Sequence, residues 1–536
     1  MNKTRIPISD TGLFSKLICD FIEGNTNLQM YVDEFVSLES ITNKINKKKI
    51  INREILVSTL NNQYKNTNFY NNDISIVKNN ISSILDNKTY TITTGHQLNI
   101  FVSPLFLIYK IISIISYVEY LNKQFPDYHF VPCFWMATDD HDFDEINSCT
   151  ISDKKYTWSL KTNDAIGNLE SKTLLPVLKS MKNIFLTNSH GLELYDRYLF
   201  AYQNNNNYAD ATRSILTALF YDYGLVIVDG NCKELKTTFS THFKDEITNS
   251  FTHHMVKKTY NSLRKSYKPQ INPMESNLFY LSDSIRSKIK VDKQKYYSDL
   301  HNLHWSKNEL LNKIDNCPQK FSPNVFLRTL YQESIMPNIL YIGGPSEISY
   351  WLQLKNMFKH QGVDFPLLAL RSHFLILSRK AIRLKSKLGL DFTDLFLDYE
   401  NKLKKTISCL DSFQTAHQFE NLNNQLLKME QDFKQINSFP INDFYVFKKR
   451  FIKEISRLES KILKLNKIKN NTILSQTEKI NNEVFIDKNI QEKSSSFIPY
   501  YIKYGKSFFN LLIKESSIID NKYVILTEED EINHSQ

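Results

Sequence analysis

The eight residues TDDHDFDE, Thr138 to Glu145, place five carboxylates around one imidazole. They follow an apolar run, so this density of like charge is costly unless cations or hydrogen-bond donors lie nearby. Such a group can bind a divalent metal together with its histidine, or bind amine and hydroxyl groups of a substrate with one member as general base. The plainer alternative is a solvated loop that caps a helix. We take Asp140, His141 and Asp142 as candidate catalytic residues and expect no metal.

A second candidate is the segment Thr94-Gly95-His96-Gln97, which lies between an extended run and an apolar one. We predict a strand, a tight turn and then a helix, which would place Gly95 at the N-terminus of that helix. Backbone N–H groups at such an end bind phosphate or carboxylate. His96 could add a donor or stabilise a developing charge, and the alternative is a structural turn with a surface histidine. We take His96 as a catalytic candidate and its three neighbours as binding candidates.

Two further stretches, GGPSE and SPNVFLRTLYQES, could position a ligand. Glycines permit close approach of a ligand to the backbone. An arginine that faces a crevice can clamp a carboxylate or a phosphate. The alternatives are an ordinary helix start for the glutamate and surface ion pairs for the arginines. The candidate substrate-binding or nucleotide-binding residues here are Asn324, Arg328, Gly343, Gly344, Pro345, Glu347 and Arg371.

Five apolar runs must position these side chains, and each is typical of a buried strand. Strands that alternate with helices predict an α/β fold with a parallel sheet. Ligands of such sheets bind outside the carboxyl ends of the strands. The residues that fall there are Gly95 to Gln97, Asp139 to Asp142, Asp229, Gly343 to Glu347 and Arg371. The predicted strands are Tyr90–Thr94, Phe130–Ala137, Gly224–Gly230, a short strand from Asn338, and Phe365–His373.

From about residue 380 the pattern becomes helical. Apolar residues repeat with a 4-3 spacing on both sides of Pro440, which predicts an antiparallel coiled-coil hairpin. We predict a core over residues 1–380 with insertions at about 150–220 and 235–320, a hairpin over 381–489, and a segment over 490–536 that packs back on the core. The two predicted seams are Leu422, Leu426, Met429, Phe433 and Ile436, and Phe451, Ile455, Leu458, Ile462 and Leu465.

Composition narrows the class of protein. The net charge of +10 is spread over 536 residues, whereas nucleic-acid binders concentrate charge in a patch. The six cysteines form no CxxC pair, and the first ten residues contain no apolar segment of a secretory signal. The most apolar helix, predicted over Leu105–Val118, is too short to cross a bilayer. No P-loop, GxGxxG or GxSxG motif occurs. We expect a cytoplasmic protein that binds neither nucleic acid nor membrane.

Four ordered segments resemble the BshC family of bacillithiol biosynthesis. The resemblance implies a Rossmann-like core similar to class I aminoacyl-tRNA synthetases, a coiled-coil domain, and a homodimer formed through it. It also implies a ligase that joins cysteine to the amine of glucosaminyl malate, with ATP or another nucleotide by analogy only. The segments are TTGHQLNIFVSPLFLIYK, VPCFWMATDDHDFDEI, FSPNVFLRTLYQESIMPNILYIGGPSEISYWLQLK and FPLLALRSHF.

The implied substrates suit the candidate residues. The malate carboxylates suit Arg328, Arg371 and the Gly95 segment, and the sugar amine and hydroxyls suit the acidic cluster. Two other functions stay open. One is a metal-dependent hydrolase or nucleotidyl transferase that uses Asp140, His141 and Asp142. The other is a nucleotide-binding coiled-coil protein that acts by interaction.

Overall fold

The computed structural model describes residues 1–48, 51–71, 73–282, 285–292, 295–300, 302–410, 415–436, 440–469, 471–516 and 519–528. They form two compact units. The larger unit comprises Phe14–Phe374 and Glu492–Val524, and the smaller comprises Met1–Leu13, Leu375–Gln491 and Ile525–Gln536. The chain passes between the two units at four points, and two of these lie in the strands His373–Leu377 and Lys522–Thr527. The domain limits predicted above stay a prediction.

The larger unit is built on a five-stranded sheet, which confirms the predicted parallel α/β core. We label its strands β1 (Thr89–His96), β2 (His129–Met136), β3 (Val226–Asp229), β4 (Asn338–Gly343) and β5 (Leu367–Leu370). The order is β5-β4-β1-β2-β3, and every pairing is parallel. All residues of β4 and β5 are buried, because helices cover both faces of a parallel sheet.

The first strand is longer than predicted, and this corrects the expected turn. Gly95 pairs with Trp135 and His96 pairs with Met136, so both residues belong to β1. The next long helix, α1, begins only at Leu105. Gly95 therefore does not lie at a helix N-terminus. The prediction of a helix N-terminus there was wrong because cross-strand pairing continues past the apolar residues.

Helix α1 (Leu105–Gln124) is also longer than the predicted span of Leu105–Val118. By length and composition it could cross a membrane, although 78% of its most apolar 18-residue window is buried inside the protein. Its packing against β1 and β2 explains why nearly all of its faces are apolar. The burial of this helix agrees with our prediction of a core helix. Its length does not agree with the predicted length.

The other helices of this unit lie before the sheet, between its strands and after it. Two of them carry candidate residues and are labelled α2 (Val325–Ile335) and α3 (Pro345–Trp351). The rest are Lys16–Ile22, Leu38–Lys47, Arg53–Asn66, Ser75–Ser83, Phe143–Ile146, Leu175–Ser180, Lys182–Phe185, Ser189–Asn204, Tyr208–Phe220, Lys233–Thr238, Ser240–Asn249, Phe251–Leu263, Lys307–Asn316, Lys355–Gln361, Ile498–Tyr504 and Ser507–Glu515.

Small antiparallel sheets are inserted between β2 and β3 and between β3 and β4. The strand Ile285–Lys288 of the second insertion matters below, because it reaches the candidate site. It pairs with Leu278–Ser282, which pairs on its other side with Phe321–Pro323. The remaining inserted strands are Ser148–Ile151, Lys154–Thr157, Lys290–Asp292, Lys295–Ser298 and Leu303–Trp305.

The smaller unit is mainly helical. It contains the strand Asn2–Pro7, the helices Arg379–Lys387, Tyr399–Leu410, Thr415–Lys434 (α4), Ile441–Lys469 (α5) and Asn471–Val484, and a small pair of strands at Phe485–Ile486 and Asn489–Ile490. Helices α4 and α5 are antiparallel, since Phe433 contacts Phe444 while Glu430 pairs with Lys448. This confirms the helical hairpin.

The predicted seam of the hairpin is wrong in detail. Leu426 is buried, but Met429 is 40% exposed and Leu458 is 52% exposed. Leu422 and Ile436 are exposed as well. The 4-3 spacing identified the apolar stripe correctly, yet four of its residues remain exposed to solvent. The side chains of Ile462 and Leu465 lie outside the described residues.

Candidate functional site

A cavity of about 500 Å³ opens at the carboxyl ends of β1, β2 and β4. Its volume is within the usual range for small-molecule sites. The cavity brings together all the predicted site residues except two. Those that line it are Gly95, His96, Gln97, Asp140, His141, Asp142, Asn324, Arg328, Gly344, Pro345, Glu347 and Arg371.

Thr94 and Gly343, the two exceptions, belong to the sheet. The Thr94 hydroxyl donates to the carbonyl of Ile342, and Gly343 pairs with Leu370. Both are buried. Asp229 also lies away from the cavity, where it accepts a hydrogen bond from Thr138 and lies 3.9 Å from Arg213. These residues hold strand ends in place and do not line the site.

His96 presents a neutral imidazole to the site. Burial, aided by the charge of Lys110, lowers its pKa to about 3, so the ring carries no charge near neutral pH. Its Nε2 atom is buried and has no hydrogen-bond partner in the described part of the chain. A neutral imidazole has one donor and one acceptor nitrogen. His96 can therefore hydrogen-bond a ligand but cannot supply a positive charge.

Lys110 reaches the site from the middle of α1. Its Nζ lies 2.5 Å from Glu347 and donates to the carbonyl of Gly95 at 2.9 Å. Glu347 also accepts hydrogen bonds from the Tyr341 hydroxyl and the Gly344 amide. Burial raises the pKa of Glu347, but Lys110 and the Gly344 amide outweigh it and hold the pKa below its usual value. The ion pair between Lys110 and Glu347 therefore stabilises the first turn of α3.

Arg371 lines the cavity but is already paired. Both of its terminal nitrogens donate to Glu492, at 2.7 and 3.0 Å, and the two side chains are almost fully buried. His373 contacts the same carboxylate. Burial raises the pKa of Glu492, and the charge of Arg371 more than reverses this effect. A buried bidentate pair of this kind leaves Arg371 little capacity to bind a substrate carboxylate.

Arg328 differs from Arg371 in having no carboxylate partner. Its guanidinium donates to the Tyr350 hydroxyl at 3.0 Å, and among the described residues no carboxylate lies within salt-bridge distance. Asn324 caps the helix that carries it, accepting from the amides of Phe326 and Leu327. Arg328 is therefore a positioned cation with capacity for an anionic ligand group.

The acidic loop divides into engaged and unengaged carboxylates. Asp140 accepts from the Gln97 amide at 2.7 Å and from its neighbouring backbone amide at 2.8 Å, and it lies 3.5 Å from Arg286. Burial raises the pKa of Asp140, but the Arg286 charge and hydrogen bonds from Gln97 and from the backbone amide of His141 hold it well below its usual value. The Ser322 hydroxyl donates to Asp139 at 2.6 Å.

Asp142 is the carboxylate of this loop that remains available. It lines the cavity, and its side chain makes no capping hydrogen bond to the short helix that follows. Within the described ranges its carboxylate forms neither a hydrogen bond nor an ion pair. An uncommitted carboxylate beside a ligand cavity can accept a proton or bind an amine.

Several lining residues escaped the sequence analysis. Arg286 comes from an inserted strand, Tyr350 follows Glu347 on α3, and Lys493 directly follows the partner of Arg371, Glu492. A signal existed for Lys110, which is the one charged residue in the apolar stretch Leu105–Val118. Among the residues described, no group of three or more His, Cys, Asp or Glu side chains could hold a metal ion.

Comparisons with known proteins agree over the whole chain. One family model, "Bacillithiol biosynthesis BshC, N-terminal Rossmann-like domain", matches residues 1–372. A second, "Bacillithiol biosynthesis BshC, C-terminal coiled-coil domain", matches residues 374–528.

Two relatives that match this chain over nearly their full length have the same name. A Flavobacterium johnsoniae protein, "Putative cysteine ligase BshC", is 34% identical over 97% of this chain and 99% of its own length. A protein of the same name from Flavobacterium psychrophilum is 35% identical over 94% of this chain and 96% of its own length. A solved structure titled as a putative arginyl tRNA synthetase from Campylobacter jejuni is 11% identical over 85% of this chain and 97% of that chain, with a TM-score of 0.24. That TM-score is too low to support an argument.

Proposed function

Because the chain belongs to the BshC family of bacillithiol biosynthesis, we propose that it is a cysteine ligase that acts on the amine of glucosaminyl malate. One observation carries the proposal beyond the family name. The cavity holds an uncommitted carboxylate, Asp142, and an uncommitted guanidinium, Arg328. A substrate that contains both an amine and carboxylates complements this pair.

The reaction requires a proton acceptor. The amine nitrogen forms a bond to the carboxyl carbon of cysteine, the bond from that carbon to an activated oxygen breaks, and one proton leaves the nitrogen. Asp142 is suited to take this proton, because no protein group competes for its oxygens within the described residues. Asp140 is less suited, because its hydrogen bonds and Arg286 stabilise its ionised form.

Arg328 is suited to hold the malate end. A guanidinium binds a carboxylate through two parallel hydrogen bonds, which fixes orientation as well as charge. The Tyr350 hydroxyl occupies one donor of Arg328, at Nη2. The sequence suggested Arg371 for the same task, and the Glu492 pair favours Arg328 instead.

The cysteine carboxyl must also be activated. ATP or another nucleotide, when bound, supplies the phosphate with which the carboxyl oxygen leaves, and we include it by analogy only. Lys493 lines the cavity, is exposed, and has no carboxylate within salt-bridge distance in the described part of the chain. It is therefore suited to meet phosphate oxygens.

The proposal includes a cytoplasmic homodimer that acts on small molecules and needs neither nucleic acid nor membrane. The smaller unit supports the dimer, because apolar side chains along α5 are exposed, among them Val446 (52%), Phe447 (49%) and Leu458 (52%). Exposed apolar side chains along one helix are typical of an interface. A second copy of the same hairpin would cover them.

The test is a measurement of thiols in cells. The chain is expressed in a bacterium that makes bacillithiol but lacks its own cysteine-adding enzyme, and bacillithiol and glucosaminyl malate are quantified by mass spectrometry. We expect bacillithiol to return and the precursor to fall. Soluble, well-expressed protein that leaves the precursor accumulated would contradict the proposed function.

A further inference from the structure

His141 and Arg286 form a contact that restricts what the histidine can do. Nη1 of Arg286 lies 2.9 Å from Nδ1 of His141. A guanidinium has donors and no acceptor, so the imidazole nitrogen must be the acceptor in this hydrogen bond. An Nδ1 atom that accepts carries no proton.

The nearest carboxylate does not compensate for this. Asp140 Oδ1 lies 3.7 Å from Nδ1, beyond hydrogen-bond distance. That oxygen instead accepts from the backbone amide of His141 at 2.8 Å. A carboxylate on Nδ1 would hold a proton there and make Nε2 basic, as in hydrolase triads. Here a cation takes that position, and the effect on Nε2 is the opposite.

Arg286 is held firmly in its place. Its Nε donates to the Ser322 hydroxyl at 3.0 Å, and Nη2 donates to the carbonyl of Pro323 at 3.1 Å. The guanidinium carbon lies 3.9 Å from the centre of the Phe279 ring. Because the side chain is buried and bonded on three sides, it cannot turn away to let Nδ1 become protonated.

The other nitrogen of His141 is available to a ligand. The side chain is 30% exposed and lines the cavity. Its Nε2 is not among the buried atoms that lack a partner, and it forms no hydrogen bond in the described ranges. The charged groups around the ring are Asp139, Asp140, Asp142, Asp144 and Glu145 on its own loop, Arg286 on the inserted strand, and Lys161 beside the adjoining cleft.

We propose that Arg286 is a positioning residue that fixes His141 as the neutral tautomer with its proton on Nε2, so that His141 meets the substrate as a hydrogen-bond donor and not as a base. Its part in the ligase reaction rests on the proposed function. The donor would face the oxygen that gains negative charge when the amine attacks the cysteine carboxyl carbon. The proton released by the amine would then pass to a carboxylate, which agrees with the role given to Asp142.

The test reads the tautomer directly and needs no substrate. Full-length protein that contains ¹³C,¹⁵N-labelled histidine is sedimented, and carbon–nitrogen correlations are recorded by magic-angle-spinning NMR at pH 7. The signals of His141 are those lost in His141→Gln. We expect the nitrogen bonded to Cγ, which is Nδ1, to be unprotonated and Nε2 to be protonated. A proton on Nδ1 in the wild-type protein, alone or on both nitrogens, would overturn the proposal.

Two variants separate the hydrogen bond from a general effect of charge. Arg286→Met should allow Nδ1 to take up a proton, whereas Lys161→Met removes a nearby exposed cation and should leave the tautomer unchanged. Equal spectra for Arg286→Met and wild type would contradict the role of Arg286. Should Arg286→Met fail to fold, the wild-type spectrum still decides the tautomer.

A functional readout separates donor from base. In the cell assay His141→Gln, which keeps a donor near the position of Nε2, should retain at least tenfold more bacillithiol formation than His141→Ala. Equal activity of the two variants in cells where the wild type is active would overturn the donor role. An inactive wild type would reject the proposed ligase and leave the NMR result intact.

Discussion

At the scale of single residues, Arg328 and Arg371 show what sequence alone can and cannot distinguish. Both were predicted to bind an anionic group, Arg328 from a helix and Arg371 from the end of a strand. They differ because Glu492 pairs with Arg371 from a position 121 residues further along the chain. No local pattern contains that information. The same limit hid Arg286, whose partners His141 and Asp140 lie in another part of the chain.

The two arginines should respond differently to substitution. Arg328→Met should lower bacillithiol formation at least tenfold with little change in stability, because a charged hydrogen bond to substrate is lost. Arg371→Met should lower the free energy of unfolding by about 3–5 kcal/mol, because it leaves Glu492 buried without its partner. Thiol analysis and urea unfolding check the two effects. An active Arg328→Met protein, or an Arg371→Met protein of normal stability, would refute this division of roles.

His96 should make the protein sensitive to mild acid. Its pKa falls from 6.5 to about 3 on folding, so below pH 6.5 the unfolded chain binds a proton that the folded protein does not. The contribution of His96 to the unfolding free energy is therefore fully present above pH 6.5, and it is lost as the pH falls toward 3. Between pH 7 and 5 this costs about 2 kcal/mol of unfolding free energy.

The comparison of variants isolates that contribution. Urea unfolding at pH 7 and pH 5 should show a loss for His96→Gln that is smaller than the wild-type loss by about 2 kcal/mol. His254→Gln, a change at an exposed histidine, should behave as the wild type does. Identical pH dependence for His96→Gln and wild type would show that His96 is not held neutral.

At the scale of elements, apolar runs predicted all five strands of the sheet, with ends within a few residues. The error at Gly95 has a physical cause. A Cβ at this position would lie 3.2 Å from both the Cβ and the carbonyl oxygen of Trp135, so the glycine allows close packing between β1 and β2. The sequence pattern attributed it to a turn, because a glycine after an apolar run is also typical of turns.

The helix that carries Arg328 depends on its cap. Asn324 accepts from two backbone amides and donates to Asn277 at 2.7 Å, and Asn277 donates to the buried Glu246. Asn324→Ala should cost about 1–2 kcal/mol of unfolding free energy and also lower bacillithiol formation, since the start of α2 would shift.

A second capped helix provides the matched control. Ser306 caps Lys307–Asn316, a helix that contributes no residue to the cavity. Ser306→Ala should lose a similar amount of stability and keep its activity. Equal losses of activity in the two variants would mean that α2 matters for folding alone.

At the scale of the whole molecule, the 4-3 spacing of apolar residues correctly predicted two helices that form a hairpin. It did not predict which of those apolar residues are buried. An amphipathic stripe shows which face of a helix is apolar, but it does not show what covers that face. In this chain Leu426 is buried while Met429 and Leu458 remain exposed. The exposed stripe is consistent with a partner outside the hairpin. In the proposed function, that partner is a second copy of the chain.

The dimer is testable by sedimentation velocity. Replacing Phe447 and Leu458 together by glutamate should convert a dimer into a monomer, because charged side chains would have to be buried in the interface. Met30→Glu alters a residue that is 62% exposed in the larger unit and should sediment as the wild type does. A wild-type protein that sediments as a monomer, or a dimer that survives the double substitution, would exclude this interface.

The most direct test of the central claim compares two aspartates of one loop. Asp142 lines the cavity, and its carboxylate has no hydrogen-bond partner in the described ranges, whereas the carboxylate of the exposed Asp144 accepts a hydrogen bond from Asn147. Each is changed to asparagine, and the ratio of bacillithiol to glucosaminyl malate is measured in the strain that lacks its own cysteine-adding enzyme. We predict that Asp142→Asn leaves the precursor accumulated while Asp144→Asn restores the thiol. Full restoration by Asp142→Asn would contradict our assignment of the site.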